Sequence, residues 1–186
     1  MYTQFGTKEQ HQNLRSIEMN TKYSRRRPRQ PRPFENRTAV LADVENLARG
    51  TVKVAKAMDD IARLIARTAP AELGPRSVIY SCERSVFNES SQLWTTEWRW
   101  VTPMPDPDGK NGADNALALE LEFNQLVHRS QRTLILGGDG RLVQGARDAV
   151  DRGSLTYLVA LEGSLNPAFR TIPGLIITEI PDLGSI

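Results

Sequence analysis

The chain lacks the features of a secreted or membrane protein. Of its 186 residues one is a cysteine, Cys82, so no internal disulfide can form. Its apolar neighbours are typical of a buried structural cysteine in a reducing compartment, and the alternative is a reactive thiol. No apolar run approaches the ~20 residues of a membrane span, and the amino-terminal residues lack the apolar segment of a signal peptide. The sequence therefore predicts a cytoplasmic protein without a membrane segment.

Acidic residues are scarce in the first part of the chain. Residues 1–36 contain eight lysines and arginines against three acids, and prolines interrupt the basic run from Arg25 to Pro33. Such a segment cannot bury a core, so we expect a disordered basic N-terminal arm over residues 1–36. An arm of this charge suits nucleic-acid phosphates, and the alternative is a solubilising tail. The folded domain is expected over residues 37–181, followed by a short tail over 182–186.

Beyond the arm, short apolar runs alternate with segments of helical periodicity. Strands are predicted at Thr38–Asp43, Ser77–Cys82, Trp98–Thr102, Thr133–Leu136, Leu155–Leu161 and Leu175–Ile180. Helical segments are predicted at Val52–Thr68, Glu89–Leu93, Ala113–Arg129, Arg141–Arg152 and Pro167–Arg170, with a loop at Pro103–Asn111. The alternation predicts an α/β fold, a three-layer, mainly parallel Rossmann-like sheet with helices on both faces.

Three aspartates stand where such a fold places its ligands. Asp43 ends the first strand, Asp139 follows the fourth, and Asp114 opens the long helix, while Asn46 lies one turn after Asp43. The carboxyl ends of parallel strands form the ligand crevice of open α/β sheets. Converging carboxylate and amide oxygens suit Mg²⁺ or Mn²⁺. Each residue also has a structural alternative, as a helix cap, a dipole partner or a turn residue.

The order of these motifs resembles the NYN domain, a branch of the PIN-like nuclease superfamily. The matching motifs are Asp43-x-x-Asn46, Gly112-Ala113-Asp114-Asn115-Ala116-Leu117-Ala118 and Gly138-Asp139-Gly140. The resemblance spans roughly Thr38 to Phe169. It implies a PIN-like fold and a Mg²⁺- or Mn²⁺-dependent endoribonuclease acting on RNA. It also implies Asp43, Asn46, Asp114 and Asp139 as catalytic residues, the three aspartates being the metal ligands.

The sequence departs from that family after the fourth strand. Many members carry another acid two to four residues after the last aspartate, where this chain has Arg141, Leu142 and Val143. Three carboxylates favour one metal ion over two. Arg141 could bind a substrate phosphate bidentately, or its charge could weaken metal binding. Asn115 and Lys110 are further substrate-binding residues in this interpretation, although Lys110 also fits a solvated loop lysine.

Two other functions compete with the nuclease. Arg141 supports a catalytically weak or inactive NYN-type RNA-binding protein that retains the pocket. Asp43-Val44-Glu45 loosely mimics the Asp-x-Asp motif of haloacid-dehalogenase-like phosphatases, although that family has aspartate at the second position. RNA is the expected partner in the first two cases, and a homodimer is a further expectation.

Overall fold

The computed structural model describes residues 34–50, 54–70, 74–84, 87–88 and 98–185. All six strands in these residues lie in one parallel sheet. Its order is β3-β2-β1-β4-β5-β6, and every neighbouring pair is parallel. The strands are β1 (Glu35–Asp43), β2 (Arg76–Ser81), β3 (Trp98–Trp100), β4 (Ser130–Leu136), β5 (Leu155–Leu161) and β6 (Ile176–Ile180). The prediction of a parallel Rossmann-like sheet is confirmed.

Helices connect the strands and cover both faces of the sheet. They are α1 (Val44–Leu47), α2 (Val54–Thr68), α3 (Gly112–Phe123), α4 (Gln125–Arg129) and α5 (Val143–Asp151), with 3₁₀ turns at Gly140–Leu142, Pro167–Thr171 and Leu183–Ser185. In the part of the chain that the structure describes, no helix is long and apolar enough to cross a membrane.

Alternate residues of the central strands build two separate cores. Val40 and Ala42 of β1 pack on one face in a cluster that includes Ile61 of α2. Ala39 and Leu41 point to the other face, in a cluster built largely on α3 and α5. This period of two, on strands that are apolar throughout, is the pattern of a sheet covered on both sides. Cys82 is fully buried in the first cluster, and burial raises the pKa of its thiol to about 12, which confirms a structural cysteine.

The single helix predicted over Ala113–Arg129 is wrong. The helix is interrupted at Asn124, whose backbone is extended (ψ 116°). The side-chain oxygen of Asn124 accepts a hydrogen bond from the Leu126 N–H at 2.8 Å and so caps α4. Phe123, the last residue of α3, is 63 % exposed. In α4, Val127 is buried and Leu126 is exposed.

The remaining predicted boundaries shift by a few residues. β1 begins at Glu35, inside the segment expected to be an arm, and Glu35 pairs with Arg37 and Arg129. The helix predicted from Arg141 begins as a 3₁₀ turn and ends, as expected, before Gly153, whose φ is 87°. Leu183, placed in the tail, packs against the core on the α2 side. Residues 1–33, the start of the Val52–Thr68 helix and the Glu89–Leu93 helix lie outside the described residues.

Candidate functional site

A cleft of about 830 Å³ lies at the carboxyl ends of the strands. Its lining includes Asp43, Asn46, Asp114 and Asp139, together with Lys110, and we call it the acidic cleft. Asp43 is the last residue of β1, Asp139 follows β4, and Asp114 lies in the first turn of α3. The four residues predicted for the pocket therefore line one cavity.

Asp43 is the most buried acid of the cleft. Its side chain caps α1, where Oδ1 accepts from the Asn46 N–H at 3.0 Å, and the residue is only 2 % exposed. Burial raises the pKa of Asp43 well above its usual range, and the neighbouring charge and hydrogen bond of Asp114 raise it further. Asp43 therefore both caps α1 and lines the acidic cleft.

Asp114 faces Asp43 across the floor of the cleft. Burial is also the main cause that raises the pKa of Asp114, with the charge of Asp139 acting in the same direction. The charge of Asp114 disfavours ionisation of Asp43, so a proton shared by the two carboxyl groups would stabilise the pair. The pair therefore favours a bound proton, which a cation could replace.

Two glycines allow the turn after β4 to pack closely against Asp43 on one side and Ser164 on the other. Gly137 has φ 138°, and a Cβ added there would lie 2.9 Å from the Asp43 Cβ. A Cβ at Gly138 would lie 2.4 Å from the Ser164 carbonyl oxygen. Asn46 Oδ1 accepts from the Gly138 N–H at 3.4 Å, so the Asn46 amide links the loops that follow β1 and β4. Asn46 therefore stabilises the two loops that carry Asp43 and Asp139.

Asp139 combines a capping contact with its place in the cleft. Its Oδ1 accepts from the Arg141 N–H at 2.8 Å, which caps the 3₁₀ turn. The turn interpretation of Asp139 is thus correct, and the same residue also lines the acidic cleft.

Sequence reasoning missed Asp106, which binds Asn111 of the cleft lining together with Asn115 and Arg141, two predicted substrate-binding residues that the structure places beside the cleft and outside its lining. Its carboxylate accepts from Asn111 Nδ2 at 2.8 Å, Asn115 Nδ2 at 2.7 Å and Arg141 Nη2 at 2.9 Å. The Asn111 and Asn115 hydrogen bonds are the main cause that lowers the pKa of Asp106. Arg141 Nε also donates to Asn115 Oδ1 at 3.0 Å, so the two residues predicted to bind substrate are held in one network.

The remaining charged groups at the cleft differ in how firmly they are held. Lys110 lines the cleft, but its side chain is 74 % exposed and pairs with Asp108 at 3.3 Å, in keeping with a solvated loop lysine. Glu45 accepts a hydrogen bond from the Glu83 N–H at 2.6 Å. Arg84, which sequence reasoning also missed, lines the same cavity from the β2 side.

The oxygen atoms that line the acidic cleft are of the kind that binds a hard divalent cation, but their arrangement is not that of a metal site. Carboxylate and amide oxygens are the ligands that Mg²⁺ and Mn²⁺ prefer, and a cation would stabilise the ionised form of Asp43, which burial and the charge of Asp114 disfavour. Yet no three His, Cys, Asp or Glu side chains of the described ranges are arranged to hold a metal ion. A cation would therefore require a rearrangement of these side chains.

Comparison of the sequence with known protein families and with curated proteins gives no match. Among solved structures, the chain is similar to a protein of unknown function from Vibrio parahaemolyticus RIMD 2210633. The two share 13 % identity and a TM-score of 0.52, over 83 % of this chain and 98 % of that one. The likeness supports the three-layer α/β fold and carries no statement about function.

Proposed function

We propose that the protein is a divalent-metal-dependent endoribonuclease of the NYN type. The observation that carries the proposal is the carboxyl pair formed by the buried Asp43 and the half-buried Asp114, in one cleft with Asp139. Adjacent carboxyl groups of this kind destabilise one another unless a proton or cation lies between them. A fold that retains such a pair at its ligand-binding edge is best explained by a cation that belongs there.

Mg²⁺ or Mn²⁺ would be held by Asp43, Asp114 and Asp139. When bound, such an ion would polarise a phosphoryl oxygen and acidify a water molecule for attack on phosphorus. Asn46 keeps the two loops that carry Asp43 and Asp139 in register through the Gly138 N–H. Arg141, held by Asp106 and Asn115, offers a positioned guanidinium for a substrate phosphate.

RNA is the proposed substrate, and the cytoplasm is the proposed compartment. The basic run in residues 1–33 would add salt-sensitive contacts to RNA phosphates beyond those made at the cleft. In this proposal the arm supplies affinity that is independent of sequence, while the acidic cleft supplies the chemistry.

The test incubates the full chain with a mixture of single-stranded and structured RNAs, with and without Mn²⁺. We expect internal cleavage that requires the metal and that falls by at least about 100-fold in Asp139→Asn, because a ligand carboxylate is lost. Glu35→Gln is the matched control, since it removes a carboxylate at the opposite end of β1 and should leave cleavage unchanged. Equal cleavage by Asp139→Asn and the parent protein would contradict the proposal.

A non-catalytic RNA-binding protein is the second candidate, and two observations favour it. Arg141 stands where the resembled family carries a further acid, and no three-ligand group is formed within the ranges that the structure covers. RNA binding that is insensitive to EDTA, without cleavage under Mn²⁺, would support this candidate. The phosphatase has less support, because Glu45 is directed to the Glu83 N–H, and cleavage of p-nitrophenyl phosphate without RNA cleavage would support it.

A further inference from the structure

A second cavity, of about 580 Å³, lies between the edge strand β3 and helix α3. Its apolar side chains include Met104, Leu119 and Phe123, and we call it the apolar groove. Met104 is 53 % exposed and Phe123 63 %, so large apolar groups face water on both sides of the groove. Exposed apolar surface around a concavity marks a binding site more often than it marks a random surface.

The apolar groove adjoins the acidic cleft. Thr102 lines both cavities. Along the segment that follows it, Met104 lines the groove, whereas Pro103 and Pro105 line the cleft. This segment therefore separates the two cavities, and a strand bound in the cleft would reach the groove by crossing it.

We infer that the apolar groove is a subsite for an unpaired nucleobase of the strand whose phosphate lies in the acidic cleft. This inference rests on the proposed function. Helix α3 carries Asp114 in its first turn and Phe123 at its last residue, and nine residues of helix span ~14 Å. At 3.4 Å per stacked nucleotide, that distance corresponds to about four nucleotides of one strand.

Recognition in the groove is by stacking and burial of the base. The aromatic ring of Phe123 and the apolar surfaces of Leu119 and Met104 suit any base, because every base has a π-face. The polar groups on the rim are already engaged: Glu120 Oε2 accepts from Arg99 and from Asn124. The groove therefore selects single-stranded over paired RNA, with little preference among bases.

The test measures binding of the full chain to fluorescent oligo(U), oligo(A) and a blunt RNA duplex in EDTA, where metal-dependent cleavage is absent. Phe123→Ala should weaken binding of both single strands by at least about fivefold, the effect expected from the loss of one stacked base, and leave duplex binding unchanged. Ile176→Ala is the matched control: Ile176 is also a large exposed apolar residue, but it lies on β6, at the other edge of the sheet. It should bind all three RNAs as the parent does.

The outcomes separate this inference from the proposed function. If Phe123→Ala binds single strands as tightly as the parent, while the parent binds RNA and cleaves it under Mn²⁺, the subsite is wrong and the nuclease stands. If the parent neither binds nor cleaves RNA, the proposed function fails and the subsite fails with it. If sedimentation shows a dimer that Phe123→Ala dissociates, the groove holds a second copy of the chain, which also overturns the inference.

Discussion

The two ends of the central sheet differ in the groups that surround their carboxylates. At the amino end, the Glu35 carboxylate lies between the guanidinium groups of Arg37 and Arg129, and the buried hydroxyls of Thr133 and Ser154 hydrogen-bond at 2.9 Å. At the carboxyl end, Asp43 instead faces another carboxyl group, that of Asp114. The comparison shows that the amino end pairs its carboxylate with cations, although Thr38 Oγ1 has no hydrogen-bond partner there, whereas the carboxyl end brings two carboxyl groups together, an arrangement that a ligand can stabilise.

The largest expected difference between the two ends lies in their turn glycines. Gly137→Ala should lower the free energy of unfolding by about 3 kcal/mol, because the new methyl group would meet Asp43 at 2.9 Å in a backbone conformation that disfavours side chains. Gly153→Ala, at the amino end, should cost about 1 kcal/mol, since its φ is also positive but its contact with Phe34, at 3.7 Å, is ordinary. Urea unfolding measures both. Similar losses would contradict the tight packing inferred behind Asp43.

A smaller effect of opposite sign is expected from the carboxylates themselves. In EDTA at neutral pH, Asp43→Asn should stabilise the protein by about 1–2 kcal/mol, because folding of the parent must either protonate Asp43 or bury its charge beside Asp114, and the amide requires neither. Glu35→Gln, at the amino end, should destabilise it by about 0.5 kcal/mol through the loss of partly exposed ion pairs. Thermal unfolding at equal ionic strength compares the two variants. Destabilisation by Asp43→Asn would show that placing the Asp43 carboxyl group beside Asp114 does not reduce the free energy of unfolding.

The pH dependence of that stabilisation has a defined sign. The pKa of Asp43 is raised in the folded state, so its protonated form adds stability that is fully present below the unfolded pKa. That contribution is lost as the pH rises through the raised folded pKa. The metal-free parent should therefore lose stability relative to Asp43→Asn as the pH rises from the unfolded to the folded pKa. Parallel stability curves for the two proteins would show that Asp43 titrates normally.

The smallest expected effect concerns the hydrogen-bond network of Asp106 with Asn111, Asn115 and Arg141 beside the cleft. Asp106→Asn keeps the side-chain volume but removes the ion pair with Arg141, which is partly exposed. We expect KM for RNA to rise about threefold with kcat nearly unchanged, because the guanidinium is positioned less well for a phosphate. Asp108→Asn, which removes the ion pair of Lys110 in the same loop, is the control and should leave KM unchanged. An equal loss of kcat would indicate that Asp106 acts on the reacting groups themselves.

The apolar runs were sufficient to predict the strands and the place of the acids. Val40-Leu41-Ala42 and Leu134-Ile135-Leu136 are buried on both faces, so their composition alone indicates parallel strands. Asp43 and Asp139 were then placed at one edge by the direction of the chain. Their convergence with Asp114 follows from parallel topology and required no knowledge of side-chain contacts.

Features that depend on distant contacts or on a single local competition were not predictable. Asn124 interrupts an apolar pattern that continues to Val127, because its side chain caps α4 in place of continuing α3. Asp106 is separated from Arg141 by a strand and two helices, so nothing in its loop sequence indicated the ion pair. The exposure of Phe123 likewise depends on the absence of a covering element among the described residues.

The central claim is that the carboxyl pair of the acidic cleft binds a divalent cation in place of a proton. Calorimetric titration of the full chain with Mn²⁺, in buffers of differing ionisation enthalpy, measures both the cation bound and the protons released. We expect one Mn²⁺ per chain, proton release on binding, tighter binding as the pH rises, and loss of binding in Asp114→Asn. Absence of Mn²⁺ binding by the parent, or undiminished binding by Asp114→Asn, would contradict it.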